Sequence, residues 1–288
     1  MEDHPKIAVI GGSGLYEMPG IADMQEFDTN TPFGRPSSPV GIGTLNGHRI
    51  AFIARHGIGH IITPSEVPYR ANIFALKSLG VERVISISAC GSLREDYHPG
   101  DIVIPNQLFD FTRFRKTTFF EDGFVAHVSV ANPFCPDLSA QLITAVDCAE
   151  GKVHAGGALI TIEGPRFSTR IESNTFRTWG ISLINMSTAP EAFLAREAEM
   201  CYTVMNHVTD YDVWHVSEQP VTVSMLIDTL NRNTKLAQEA VSNLLLNLSE
   251  TTECNCSEAL ASAMITQPDA IPPDTKRRLF ILIDKYIN

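Results

Sequence analysis

Two aspartates one residue apart stand in the stretch VTDYDVWH, Val208 to His215, directly after an apolar run. Carboxylates so close to a core are costly unless they bind something. Asp210 and Asp212 can read the donors of a heterocycle, cap a helix or ligate a metal. Neither G-x-x-x-x-G-K-[ST] nor H-E-x-x-H accompanies them, so heterocycle recognition ranks first, capping second and metal third. Four further stretches place small or donor-bearing residues at the ends of apolar runs. Gly11-Gly12-Ser13-Gly14 offers backbone N–H groups and one hydroxyl to an anion. In ARHGIGH, Arg55 supplies a guanidinium fork and His56 a second donor. Ser88, Ala89, Cys90, Gly91 and Ser92 make a small-residue turn, in which Cys90 lacks a sequence-near His to make it a nucleophile. Asn185, Met186 and Ser187 close another run, and Phe167, just ahead of a capped helix, can stack on a flat ring. Each stretch has a plain alternative as a packing turn, a surface loop or a core anchor. Together they point to a small phosphate-type anion beside a neutral ring compound.

The elements that must position these residues follow from periodicity. Apolar, β-rich runs alternate with helical patterns, which predicts an α/β fold with a mainly parallel sheet flanked by helices. Strands are expected at Ile7–Ile10, Arg49–Ala54, Arg83–Ser88, Asp101–Ile104, Ala158–Ile162, Ser182–Asn185 and Tyr202–Val208. Ser65 to Leu79 reads as a helix capped by Ser65 with Pro68 in its first turn. Thr169-x-x-Glu172 is a capping-box pattern whose helix stops at Gly180. Pro190-Glu191 opens a helix to about Met200, Gln219–Leu248 carries one or two more, and a last one starts at Asp274. Gln107–Cys135, long and without a clear period, is expected to be functional or to fold into extra strands.

Bulk properties exclude several classes. The chain has 288 residues, 44% of them hydrophobic and 19% charged, with a formal net charge of −11. That charge argues against nucleic acid or an anionic membrane as the main partner, so an anionic substrate needs a local cationic pocket. The acidic start MEDHPKIAVI does not read as a signal peptide, and no apolar run reaches the length of a membrane span. Six scattered cysteines suggest reduced thiols and a cytoplasmic location, with a nuclear share left open. Cys254 and Cys256 are the only close pair, and no second Cys or His pair lies near them in sequence, so no metal site is expected. Gly12-Ser13-Gly14 begins like a dinucleotide fingerprint, but Glu17 stands where its third glycine belongs, which speaks against a dinucleotide.

The combined motifs VIGGSGLY, ARHG, SACGSLRED, TIEGPRFSTRIES, INMSTAPE and TDYDVWH, in order between Lys6 and His215, resemble the purine nucleoside phosphorylase family in its 5′-methylthioadenosine-cleaving branch. The resemblance implies one phosphorylase domain over 1–288 with a mixed, partly barrel-like sheet, and a homotrimer. It implies phosphorolysis of 5′-methylthioadenosine to adenine and 5-methylthioribose 1-phosphate, with inorganic phosphate as co-substrate and no metal or organic cofactor. Phosphate binding would then fall to Ser13, Arg55, His56, Ser88, Ala89 and Ser187. Phe167, Asn185, Met186, Thr209, Asp210 and Asp212 would bind the nucleoside, and His127 would close the 5′ pocket of a neighbouring subunit. Asp210, Asp212 and Ser187 would be catalytic, with a protonated Asp210 assisting the leaving purine at N7. A carboxylate pair favours adenine over 6-oxopurines, which need a donor at that edge. The alternatives are a broader adenosine or 6-oxopurine nucleoside phosphorylase, a nucleoside sensor, and a hydrolase that uses water. The 250–288 segment is a divergent helical ending, in which Leu279, Leu282 or Ile283 is expected to cover the methylthio group.

Overall fold

The computed structural model describes residues 4–12, 14, 18–215, 223–249 and 253–287. The strands are β1 (Ile7–Gly11), β2 (Ala22–Phe27), β3 (Val40–Leu45), β4 (His48–Ala54), β5 (Arg83–Ser92), β6 (Ile102–Ile104), β7 (Gln107–Phe111), β8 (Val153–Ala155), β9 (Ala158–Ile162), β10 (Leu183–Asn185) and β11 (Cys201–Asp210). The helices are α1 (Tyr69–Ser78), α2 (Pro136–Cys148), α3 (Arg170–Thr178), α4 (Thr188–Glu197), α5 (Val223–Leu246) and α6 (Pro273–Ile287). All eleven strands belong to one mixed sheet, ordered β2-β3-β4-β1-β5-β10-β9-β7, with β11, β6 and β8 branching from β5.

That branch decides where the site lies. The first half of β5 is flanked by β1 and β11, both parallel, and β1 leaves it after Ser86. The antiparallel β10 takes up the same edge only at Gly91. Between them, Ile87 to Cys90 is laddered to β11 alone. The sheet therefore splits at the ends of its central strands, beside Ser88 and Ala89. Open α/β sheets place their ligands in such crevices at strand ends.

The central strands are buried on both faces, so they read as continuous apolar runs rather than alternating ones. Along β1, Ala8 and Ile10 join the core built with α1, α4 and α6, while Ile7 and Val9 join the core built with α2 and α5. A third cluster, with Ile160, Ile162, Phe176, Ile184 and Trp214, packs under α3. The α3 capping box forms as its pattern predicts: Thr169 accepts from the Glu172 N–H, and Glu172 accepts from the Thr169 N–H at 2.7 Å. No helix among the described residues is long and apolar enough to cross a membrane.

Several expectations are corrected. Ser65 does not cap α1; its hydroxyl donates to Glu163 Oε1 at 2.7 Å, and Pro68 itself is the N-cap. The regular turns of α4 start at Pro190 as expected, although the element runs from Thr188, because Ala189 is extended at ψ 134° ahead of the proline. β2 and β3 are unforeseen because β2 is a largely exposed, polar edge and β3 carries two glycines. α2 hides its start behind an unusual N-cap, Cys135, although Leu138, Leu142, Ala145 and Val146 recur at helical spacing. The stretch Gln107–Cys135 contributes β7 and then a loop whose Ala126 bridges Met264.

The C-terminal segment is corrected most. Leu279, Leu282 and Ile283 are buried in the α1/α4 core with Leu260 and Ile271, not free to cover a ligand. Cys254 and Cys256 are not isolated, since Cys135 and Cys201 join them and the four Sγ atoms lie within 4.8 Å of one another. Because Leu279 is fully enclosed, Leu279→Ala is expected to destabilise the fold by about 2–5 kcal/mol, read as a lower urea midpoint at unchanged slope.

Candidate active site

At the split stands Arg55, the first residue after β4 and 3% exposed. Its Nη1 donates to the Ile87 carbonyl at 3.0 Å, and Nη2 lies 3.1 Å from the Ile10 carbonyl and 2.6 Å from Ser86 Oγ. The guanidinium thus ties β1 to β5 where their own ladder ends. Its charge is met by Glu191 of α4, with Nε–Oε2 at 2.8 Å and Nη2–Oε1 at 3.0 Å, and the Tyr202 hydroxyl donates to the same Oε1 at 2.8 Å. Burial works against the Arg55 charge, but the charge and hydrogen bonds of Glu191 outweigh it and hold the guanidinium above its ordinary range. Arg55 is therefore mainly a positioning residue. The expected phosphate fork is taken by Glu191, and only a second Nη1 N–H remains for an anion.

Beside it, Ser88 and Ser187 come together, with their hydroxyls 2.8 Å apart across a sequence separation of 99 residues. Asn185 fixes Ser88 and the start of α4: Nδ2 donates to Ser88 Oγ at 3.2 Å and Thr188 Oγ1 at 2.7 Å, while Oδ1 accepts from Thr161 at 2.8 Å. Thr161 Oγ1 in turn accepts the Ala189 N–H at 3.2 Å. This buried network brings two serine hydroxyls together at the strand ends, where one proton bridges the pair and the pair offers at most one donor to an oxyanion. His56 follows Arg55, and its Nδ1 donates to the Ile62 carbonyl at 2.9 Å, which leaves Nε2 as the acceptor of a neutral ring. Burial first, and the Arg55 charge second, push His56 down to about 4.

The aspartate pair stands at the end of β11, beside Gly91 of β5, three residues past Ser88. Space at Gly91 is tight: a Cβ would come 3.1 Å from Asp210 Oδ1, 3.2 Å from Asp212 Cβ and 3.0 Å from Ile184 Cγ2. Asp210 Oδ1 accepts the Asp212 N–H at 2.7 Å. Thr209 Oγ1 lies 2.6 Å from Asp210 Oδ2 and 3.1 Å from the Cys90 carbonyl, and one hydroxyl proton satisfies only one of them. A neutral Asp210 resolves this by donating to Thr209, which donates onward to Cys90. Burial pushes Asp210 up to about 6, against the pull of its Thr209 and Asp212 hydrogen bonds and with added repulsion from the Asp212 charge. Burial also raises Asp212; the nearby Ser173 and Ser168 hydroxyls draw it down without closing a hydrogen bond. Asp212 Oδ2 is buried and closes no hydrogen bond among the described residues. Trp214 Nε1 anchors the following loop on the Ser92 carbonyl at 2.7 Å.

Phe167 is 44% exposed, on the loop between β9 and α3. A Cβ on Gly164 of that loop would come 2.7 Å from Met186 Sδ, so Met186 lies against the Phe167 loop. Arg115, absent from the sequence-based candidates, organises the region by donating to the Ala189 and Glu163 carbonyls, both at 2.7 Å, and to Tyr69. Arg115, Glu163 and Glu191 hold the region together and were missed by sequence reasoning, although TIEGPRF and INMSTAPE contain two of them. His127 is exposed and apart from these groups, held by its N–H to the Ala263 carbonyl at 2.8 Å. Ser13 and Glu17 lie outside the described residues.

A donor-lined crevice next to a buried acid, both at strand ends of a mixed sheet, is the layout of an enzyme that transfers a group between an anion and a heterocycle. The family model described as "Phosphorylase superfamily" matches residues 6–246, and the chain belongs to that superfamily. Within it, the chain is 49% identical over 282 residues to the S-methyl-5′-thioadenosine phosphorylase of Geobacter sulfurreducens, covering 98% of this chain and 99% of the relative. It is 50% identical over 281 residues to the enzyme of that name from Chloroflexus aurantiacus, covering 97% and 98%. Among solved structures, a methylthioadenosine phosphorylase from an antarctic soil metagenomic library superposes with a TM-score of 0.94 at 46% identity, covering 98% of this chain and 99% of the other. Schistosoma mansoni methylthioadenosine phosphorylase in complex with adenine superposes at 0.81 with 35% identity, covering 90% and 96%.

Glu191→Gln keeps the shape of the side chain but removes the counter-charge and sets an amide N–H against Arg55 Nε. It is expected to destabilise the fold by about 3–5 kcal/mol, the cost of a buried charge left unpaired, measured by urea unfolding at neutral pH.

Proposed function

We propose that this protein cleaves 5′-methylthioadenosine with inorganic phosphate, releasing adenine and 5-methylthioribose 1-phosphate. The observation that carries this reading is the Ser88–Ser187 hydroxyl pair beside a buried acid pair whose Asp210 is pushed up to about 6 by burial. Ser88 and Gly91 are about 10 Å apart along an extended strand, a span that a ribosyl unit bridges between phosphate and purine.

Phosphate sits on the Ser88–Ser187 hydroxyl pair, the Ala89 N–H and the remaining Arg55 N–H, with Ser13 as a further ligand, and a protonated phosphate oxygen donates to His56 Nε2. One phosphate oxygen bonds to C1′ as the C1′–N9 bond breaks, and the bonding pair leaves with the purine. Positive charge grows on the ribose, where the phosphate below it is stabilising. Negative charge grows on the purine, where the Asp210 proton turns from Thr209 to N7 and is transferred, while the Thr209 hydroxyl turns from the Cys90 carbonyl to donate to Asp210 Oδ2. Asp212 Oδ2 accepts from the 6-amino group, Phe167 packs on the ring, and Met186 and Asn185 border the ribose. Both base-facing residues are carboxyls, so the broader 6-oxopurine reading is not favoured. The reacting atoms need no metal or organic cofactor.

The active form is a homotrimer in which His127 of one copy closes the 5′ pocket of the next. Its exposure away from its own chain's site supports this, as do exposed Phe109, Ile171 and Trp179 beside the edge strand β7. The free cysteines support a cytoplasmic setting.

Incubation with 5′-methylthioadenosine, with and without phosphate, tests the reaction; equal adenine release without phosphate overturns it. Ser187→Ala is expected to raise KM for phosphate about 10- to 100-fold, as for the loss of a hydrogen bond to a charged group, with a smaller change in KM for the nucleoside. Asp210→Asn is expected to shift preference toward inosine-type substrates. The protonated acid is the working form, so wild-type kcat/KM falls as pH rises through about 6. The asparagine variant lacks that limb, and at matched phosphate a wild-type to variant ratio that is flat with pH refutes the assignment.

A further inference from the structure

Four cysteines far apart in sequence converge away from the active site. The Sγ atoms of Cys135, Cys201, Cys254 and Cys256 all lie within 4.8 Å of one another, with Cys201 and Cys254 at 3.4 Å. Three are buried and Cys254 is half-buried, and none is joined in a disulfide. In a tetrahedral tetrathiolate, Zn–S bonds of about 2.3 Å put the sulfurs about 3.8 Å apart. The cluster thus needs only small side-chain movements to close around one ion.

We propose that these four thiols form a structural site for one tetrahedral divalent zinc ion. The donor set is all sulfur, with no carboxylate or imidazole, which selects a soft tetrahedral cation over magnesium or calcium. Each ligand is already positioned by the backbone. Cys135 is the N-cap of α2, and its Sγ accepts the Leu138 N–H at 3.5 Å. Its own N–H donates to the Tyr202 carbonyl at 2.8 Å, and the Cys201 N–H to the Glu82 carbonyl at 2.9 Å. Glu253 N–H donates to Asp137 Oδ2 at 2.6 Å, which sets Cys254 beside α2, and Cys256 opens a short 3-10 turn.

Binding exchanges four thiol protons for one Zn²⁺, leaving a net charge of −2 on the complex. The positive end of α2 and the Leu138 N–H offset part of that charge. The ion would staple the start of α2 and the start of β11 to the segment after α5. That segment holds the His127 loop through the Ala263 carbonyl and carries α6 into the core. The pair that looked isolated in sequence is therefore half of a closed site, and its role is independent of the phosphorylase reaction.

The test is metal analysis of the full-length protein, purified without chelator or metal-affinity steps and refolded under reducing conditions with excess Zn²⁺. One zinc per chain is expected after gel filtration. Replacement by Co²⁺ should produce thiolate-to-metal absorption in the near ultraviolet and the visible bands of a tetrahedral centre. Cys254→Ser, at the least buried ligand, should lower zinc affinity at least tenfold, whereas Cys148→Ser, exposed and outside the cluster, should not change it. Less than a tenth of an equivalent in wild-type protein overturns the proposal. So does a count of two free thiols after denaturation, which would mean that the four cysteines pair as disulfides.

Discussion

A guanidinium buried in the split of a β-sheet is the constraint on which the rest of this molecule depends. β1 and β5 separate after Ser86, and their carbonyls would be left facing apolar space without Arg55. Arg55 can lie there only because Glu191 supplies a full counter-charge from α4. That ion pair sets the distance between the strand ends and the helix that follows Ser187. The spacing of the Ser88–Ser187 pair is thus inherited from an interaction that itself touches little of any ligand.

The site divides its electrostatics in two. On one side, hydroxyls, amides and a guanidinium gather around a point where an anion is favoured, in a chain whose net charge is −11. On the other, desolvation raises a carboxyl to about 6, far enough that part of it carries a proton near neutral pH. Both depend on burial at the ends of parallel strands, and β5 is the strand common to them. Gly91 shows how tight the arrangement is, because a Cβ there would press within 3.1 Å of Asp210 Oδ1 and 3.2 Å of Asp212 Cβ.

Much of this was legible locally. The central strands announced themselves as continuous apolar runs, the α3 capping box formed as written, and the donor-bearing turns fell at strand ends. What failed to show had identifiable reasons. β2 is an exposed polar strand, and β3 is interrupted by glycines, so neither carries the period that marks a strand. α2 was masked by a cysteine in the N-cap position. Arg55 was readable as a cation but not as one already engaged, since its partner lies 136 residues away.

The sequence by itself determined residue chemistry and short-range geometry: which strands are buried, where hydroxyls, amides and carboxyls cluster, and which helix is capped. These depend on neighbours within a few positions, where backbone periodicity and side-chain type suffice. Only the tertiary structure decided which of those groups meet. Three strands of different sequence position share β5, so the order of the sheet, not the order of the chain, paired Ser88 with Ser187 and Arg55 with Glu191. It also turned Leu279 inward and closed four distant cysteines into one cluster. Burial then shifted Asp210, because desolvation belongs to a place in the fold and not to a residue in a string.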